Sequence, residues 1–277
     1  MFKLFRKKIG IIGCGNMGSA IAARIKNKYN IFAFDKDKEK TKGLKDITVS
    51  DTISCLVKDS DVVILAVKPQ DFDGVLNEIK PSITNKLIVS IAAGISTGYI
   101  EKVLGGARVI RVMPNIGVKI GQSETCLSRG KNATSKDVSF SLRLFDCLGK
   151  TWFISEEMMN AATAISGSGP AHIFYDMEIR GINPGNVKYY RERLKEAAQS
   201  VGFDPEMAFM LALSTTASAC DLVAQTHLSP AELRKQVTSK GGTTEAALGV
   251  LTAGGSWTEA ALAAKKRAEE LSDTWPR

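Results

Sequence analysis

Residues that announce common catalytic chemistries are scarce in this 277-residue chain. It has two histidines, His172 and His227, and no nucleophile–base constellation is apparent, which for many enzyme classes counts against catalysis. The five cysteines (Cys14, Cys55, Cys126, Cys147 and Cys220) are scattered and form no CxxC pair. That pattern speaks against a zinc site or any other metal centre and against a disulfide framework, and it fits a reducing cytoplasm. No stretch approaches 18 uninterrupted apolar residues, so no bilayer-spanning segment and no membrane partner are expected. The run "IGIIGCGNMG" that follows the basic start is short, glycine-rich and without a cleavage pattern, so it is not read as a signal peptide. Internal repeats and low-complexity tracts are absent.

What is present is globular in composition, with 44% hydrophobic residues. The formal net charge of +8 comes from basic residues interleaved with acids, as in "DKDKEKTKGLKD". Such interleaving describes a solvated surface rather than a nucleic-acid interface, and no nucleic-acid partner is expected. The positive field would nonetheless draw in anionic cofactors and substrates.

The first 155 residues alternate short β-branched runs with amphipathic stretches. "KIGIIG" (8–13), "NIFAF" (30–34), "DVVILAV" (61–67), "KLIVSIA" (86–92), "RVIRVM" (108–113) and "KTWFI" (150–154) read as strands, with helical segments such as "NMGSAIAARIKN" between them. Near-continuous apolar strands separated by helices predict an α/β fold, a doubly wound parallel sheet covered on both faces. Beyond Ser155 the texture turns to helical periodicity rich in Ala, Leu and Met, with Asp204-Pro205 and Ser229-Pro230 as helix starts. The chain therefore divides into a domain over 1–155 and an all-α domain over 156–277.

"IGIIGCGNMGSAI" sets Gly13, Gly15 and Gly18 in the GxGxxG spacing between the first strand and the first helix. Gly13 permits the tight turn, Gly15 lets the backbone approach a pyrophosphate, and Gly18 allows close helix–strand packing. Asn16 and Met17 belong to the same loop, and the helix N-terminus faces the phosphates. Asp35 lies 22 residues beyond Gly13 at the end of the second strand, where a carboxylate accepts hydrogen bonds from ribose hydroxyls. The cofactor is thus NAD or NADP. An ionised Asp35 repels a 2′-phosphate and favours NADH, a preference that Lys36 and Lys38 partly offset.

A second glycine-rich turn, "TSKGGTTEAAL" (238–248), precedes a helix. It is either an ordinary connection between consecutive helices or a cradle in which free N–H groups and hydroxyls converge on a small carboxylate. Beside a dinucleotide motif the cradle is the better-supported reading.

Several stretches, in order, resemble the pyrroline-5-carboxylate reductases: "IIGCGNMGSAI", "AVKPQ" (66–70), "SIAAGIS" (90–96), "RVMPN" (111–115), "AISGSGPA" (164–171) and "PAELRKQVTSKGGTTEAALGVL" (230–251). The resemblance runs from about residue 8 to residue 271. It implies a Rossmann-type domain followed by a helical dimerisation domain, and hence a homodimer or an assembly of dimers. It also implies reduction of the cyclic imine 1-pyrroline-5-carboxylate to proline by hydride from NAD(P)H in proline biosynthesis. By the same resemblance Ser239, Gly242, Thr243 and Thr244 bind the substrate carboxylate, and Thr244, near the ring nitrogen, is the catalytic candidate. Val67, Lys68 and Pro69, with Ala92, Ala93 and Gly94, match segments lining the nicotinamide and its ribose, and Met113, Pro114 and Asn115 match another segment close to the cofactor. The scarcity of acid–base residues suits this chemistry, because a protonated imine is already electrophilic and the hydride belongs to the cofactor.

The chain departs from the family pattern in four places. "RGINPGNVKYYRERL" carries about a dozen extra residues, including helix-breaking Gly181, Pro184 and Gly185, where the family runs one helix. Lys240 stands in place of a usual proline, and Ile116-Gly117 in place of Thr-Pro. His172, where the family generally has an aromatic, is expected to pack rather than shuttle protons. Alternative functions are a related imine or keto-acid reductase and a non-catalytic dinucleotide-binding homologue. A 3-hydroxyacid dehydrogenase would need a lysine on the first helix of the second domain, and "GSGPAHIFYDMEI" offers none.

Overall fold

A computed structural model describes residues 6–274; the ends of the two expected domains, 1–5 and 275–277, lie outside the described residues. Eight strands form one sheet: β1 Lys8–Ile12, β2 Asn30–Phe34, β3 Thr48–Val49, β4 Val62–Leu65, β5 Leu87–Ser90, β6 Arg108–Met113, β7 Ser123–Arg129 and β8 Gly149–Phe153. Their spatial order is β3-β2-β1-β4-β5-β6-β7-β8. The pairs from β3 through β6 are all parallel, with Ile12 opposite both Phe34 and Leu65. Helices α1 Asn16–Ile25, α2 Ile53–Asp59, α3 Pro69–Ile79, α4 Thr97–Val103 and α5 Ser135–Phe145 alternate with the strands. Burial on both faces explains the unbroken apolar runs: every residue of β4 and β5 is buried. One side of the core gathers Leu56, Phe72, Leu76, Ile79, Ile88 and Ile100, each fully buried.

Strand β7 was not read from sequence. Its residues SETCLSR are mostly polar yet six of the seven are buried, so neither a period of two nor an apolar run marks it. Order along the sheet reverses between β1 and β4, creating the switch-point crevice at the carboxyl ends of the strands where open α/β sheets bind ligands.

The remaining elements are helical: α6 Met159–Ala162, a π-helical turn Thr163–Gly167, α7 Gly169–Arg180, α8 Val187–Ser200, α9 Pro205–Thr226, α10 Pro230–Val237, α11 Thr243–Thr252 and α12 Trp257–Asp273. Asp204 caps α9 and Pro205 opens it, while Ser229 and Ser256 form capping boxes with Glu232 and Glu259 at α10 and α12. Helix α9 is long and apolar enough to cross a membrane by length and composition, but it packs against α7 and α8 and buries Leu211, Ala212, Thr215, Ala219 and Leu222.

The chain divides into two compact units, one of residues 6–112 with Leu127–Leu148, the other of Met113–Cys126 with Gly149–Thr274. Grouping of Met113–Cys126 with the helices has a local cause. The Asn115 amide donates to the Ser166 carbonyl at 3.1 Å, and the Trp152 indole donates to Glu124.

The turn after α7 is exposed, and the helix that follows it reaches the helical core through Tyr190 and Leu194. Helix α7 ends at Arg180, Gly181 takes φ +81°, and Pro184–Asn186 form a 3-10 turn into α8, as Gly181 and Pro184 demand. Tyr190 is fully buried, stacked on Trp257 at 6.2 Å and 8°. Tyr189 and His172 meet the same indole edge-on, at 6.3 and 5.6 Å.

Candidate active site

The loop after β1 explains its three glycines one by one. Gly13 has φ +98°, and a Cβ there would stand 2.5 Å from the Ala66 carbonyl oxygen. At Gly18 a Cβ would stand 1.9 Å from the Gly13 carbonyl oxygen, so helix α1 can sit against the loop only as glycine. At Gly15 a Cβ would meet nothing within 4 Å; this residue is the N-cap of α1 and no side chain caps the helix. Asn16 and Met17 open that helix, with Asn16 exposed. The head of α1 therefore presents bare backbone to open space, the arrangement that a pyrophosphate fits.

Next to it lies a cavity of about 540 Å³ whose lining includes Gly13, Gly15, Asp35, Lys36, Lys40 and Lys68. Val67 also lines it, and Lys68 and Pro69 form the N-cap and first residue of α3. Ala92, Ala93 and Gly94 follow β5, and because β4 and β5 are parallel they sit at the same carboxyl edge of the sheet. Asp35 does more than sequence reasoning gave it. Its Oδ2 accepts the Cys14 N–H at 2.7 Å and its Oδ1 the Asp37 N–H at 2.9 Å, with the Lys40 ammonium 3.6 Å away. The carboxylate thus pins the glycine loop, and Lys40 was not singled out from sequence. Desolvation, with the Asp35 charge second, pushes the Cys14 thiol up to about 11, which keeps it protonated and unreactive near neutral pH.

Asn115 holds a turn together. Its side-chain oxygen accepts the Gly117 and Glu124 N–H groups at 3.0 and 3.1 Å while its amide donates to Ser166. It is buried, so the group it can offer a ligand is limited to what this network leaves over.

In the helical unit the expected cradle is the head of α11. Gly241 takes φ +70°; its N–H is held by Glu245 at 2.7 Å and its carbonyl by Arg267 of α12 at 2.8 Å. Gly242 is the N-cap and donates its N–H to the Ser239 carbonyl at 3.0 Å. The N–H groups of Thr243 and Thr244 have no acceptor among the described residues. A Cβ on Gly242 would strike the Ser239 hydroxyl at 2.3 Å, so glycine brings that hydroxyl to the same corner. Lys240 is exposed. Two free amides, a nearby hydroxyl and the positive end of a ten-residue helix suit one carboxylate.

Ser168, missed from sequence, joins this corner. Its buried hydroxyl lies 3.1 Å from both the Thr243 and Thr244 hydroxyls. The GSGPA turn was legible as a motif, but nothing in it announces contact with a segment 75 residues away. His172, one turn further along α7, is fully buried, and desolvation lowers its pKa to about 4; a neutral imidazole packed on Trp257 stands apart from any proton transfer here.

The two sets of residues correspond to two recognised modules. Residues 8–94 match a model described as NADP oxidoreductase, coenzyme F420-dependent, and residues 156–271 one described as pyrroline-5-carboxylate reductase dimerisation. Over the whole chain, the pyrroline-5-carboxylate reductase of Methanosarcina acetivorans is 37% identical, covering 96% of this chain and 98% of that protein. The enzyme of Glycine max is 33% identical over 95% and 96%. Among solved structures, a pyrroline-5-carboxylate reductase from Coxiella burnetii aligns with a TM-score of 0.66 and 31% identity, covering 96% of this chain and 99% of that one. The Plasmodium falciparum pyrroline carboxylate reductase with NADP bound aligns at 0.64 and 27%, covering 97% and 99%. With both modules matched in order and relatives aligned from end to end, the chain belongs to the pyrroline-5-carboxylate reductase family.

Proposed function

We propose that this protein reduces 1-pyrroline-5-carboxylate to proline with NAD(P)H. The observation that carries the reading is the head of α11, where the amides of Thr243 and Thr244 and the hydroxyls of Ser239, Thr243 and Thr244 gather. The reduced nicotinamide, when bound, supplies the hydride.

The protein's own residues bind and orient. Gly13, Gly15 and Gly18 hold the loop open for the pyrophosphate, with Asn16 and Met17 at the head of α1. Val67, Lys68 and Pro69, together with Ala92, Ala93 and Gly94, border the nicotinamide half. Because the Gly241 and Gly242 N–H groups are engaged within the turn, the substrate carboxylate is anchored by the Thr243 and Thr244 amides and the Ser239 hydroxyl. Gly242, the N-cap of α11, leaves room for the Ser239 hydroxyl at the same corner. Thr244 Oγ1 meets the ring nitrogen. Fixing the carboxylate fixes the imine carbon, and orientation with charge complementarity supplies the catalytic advantage.

Asp35 favours NADH over NADPH, and Lys36 and Lys40 in the same cavity offset part of that preference. The protein acts in the cytoplasm as a homodimer or an assembly of dimers, with no nucleic-acid or membrane partner. Purified protein mixed with 1-pyrroline-5-carboxylate and either coenzyme should consume reduced-nicotinamide absorbance, with the higher kcat/KM for NADH. Turnover only with other imines or with keto acids would replace the substrate assignment. Coenzyme binding without oxidation would make the chain a non-catalytic homologue.

A further inference from the structure

Three hydroxyls converge at the start of α11: Thr244 Oγ1 donates to Ser168 Oγ at 3.1 Å, and Ser168 Oγ lies 3.1 Å from Thr243 Oγ1. Ser168 is fully buried, and Thr243 and Thr244 are 8% and 5% exposed. The placement of Ser168 is built into the backbone. The π-helical turn Thr163–Gly167 ends with the Ser168 N–H bonded to the Thr163 carbonyl at 2.9 Å, five residues back, which takes Ser168 out of α-helical register.

A hydroxyl carries one proton and two lone pairs. With its proton given inward to Ser168, Thr244 turns lone pairs outward, so toward a ligand it is an acceptor. That polarity matches the N–H of a protonated cyclic imine. It opposes a carbonyl oxygen, which needs a donor. We infer that Ser168 is a positioning residue: by taking the Thr244 proton it makes Thr244 an acceptor for the substrate ring N–H, and so selects nitrogen over oxygen at the reacting double bond. Thr243, bonded to Ser168 from the other side, completes the chain. When hydride adds to the imine carbon, the C=N π pair becomes the nitrogen lone pair while the N–H stays on the acceptor. The ammonium form of the product keeps the same hydrogen bond. This inference rests on the reductase reading for its substrate, but its main test does not use turnover.

The test measures calorimetric binding of L-proline and of cyclopentanecarboxylate, which keeps the carboxylate and lacks the nitrogen, to wild-type protein, Ser168→Ala, Thr244→Val and the double variant. The expected result for Ser168→Ala is about tenfold weaker L-proline binding, the loss of one hydrogen bond to a charged group, with cyclopentanecarboxylate within about twofold of wild type. Ser168→Ala should add nothing in the Thr244→Val background, because it acts through that hydroxyl. On the imine, Ser168→Ala should lower kcat more than it raises KM. Equal weakening of both ligands, or losses that multiply in the double variant, would overturn the assignment. Wild-type protein that shows the binding pattern but consumes no NAD(P)H with the imine would sink the reductase reading and leave this one standing.

Discussion

The Asp35 carboxylate accepts the Cys14 backbone N–H at 2.7 Å, so the acid at the end of β2 is bonded to the loop it helps to serve. Replacing it has two consequences that can be separated. Asp35→Ala removes the acceptor of a part-buried amide, at a cost of about 1–3 kcal/mol, and removes the charge that opposes a 2′-phosphate. Thermal melting should fall, and the NADPH-to-NADH ratio of kcat/KM should rise. Asp35→Asn keeps an acceptor for Cys14, so it should recover most of the melting temperature while leaving the coenzyme ratio shifted. An unchanged ratio in both variants would remove Asp35 from coenzyme choice.

Gly15 and Gly18 differ by what surrounds them, and their alanine variants should differ accordingly. At Gly18 the new methyl meets the Gly13 carbonyl at 1.9 Å, a backbone clash that only movement of α1 relieves. Gly18→Ala should lower stability by at least about 1–3 kcal/mol, the range for overpacking. At Gly15 the methyl meets open space, so Gly15→Ala should melt like wild type yet bind coenzyme poorly, because the Cβ stands where the pyrophosphate approaches. Calorimetric titration with coenzyme beside melting curves checks both.

Tyr190 is fully buried against Trp257. Tyr190→Ala should cost about 3–5 kcal/mol, the range for deleting a large aromatic from a core. Tyr190→Phe should cost far less, since the ring stack remains. Urea denaturation measures both; an alanine variant within about 1 kcal/mol of wild type would show that Tyr190 does not hold α8 to the core.

Two buried groups in the helical unit titrate with opposite effects on stability. His172 is lowered by desolvation from 6.5 to about 4. Between those values the unfolded chain binds the proton and the folded chain does not, so stability falls as pH drops from about 6.5 to about 4. Glu124 is raised from 4.5 to about 7, chiefly by burial, against the opposing hydrogen bonds of Ser214 and Trp152 and the charge of Lys150. There the folded chain holds the proton, so stability falls as pH rises from about 4.5 to about 7. Each contribution is on the order of 3 kcal/mol, and over the shared window they oppose one another. His172→Phe should therefore leave a protein that loses stability as pH rises through this window, and Glu124→Gln one that loses it as pH falls. Melting temperatures at pH 4.5, 5.5 and 6.5 test the signs.

Sequence carries the parts of this molecule that depend on neighbours along the chain. The parallel strands are visible because β4 is apolar at every position and β5 at all but Ser90, and the glycine loop because three steric roles fix three spacings. Helix starts at Pro205 and Pro230 follow from the Asp and Ser before them. What stays hidden depends on distance through space. Strand β7 is buried but polar, since Ser123 and Glu124 have partners in Asn115 and Trp152. Ser168 gains its part only when α7 and α11 pack together. Asp35 is legible as an acid at the right place, but not as the acceptor that holds Cys14.

The segment around Gly181–Leu194 acts as a wedge. A loop that merely lengthened a connection could be trimmed without regard to the interior, but here the helix after the turn packs on α9 and α12, and the Trp257 indole lies flat against its Tyr190. A variant in which a short loop replaces Gly181–Leu194 would leave one indole face bare and a ring-sized void beneath it, so segment and tryptophan form a single exchangeable unit.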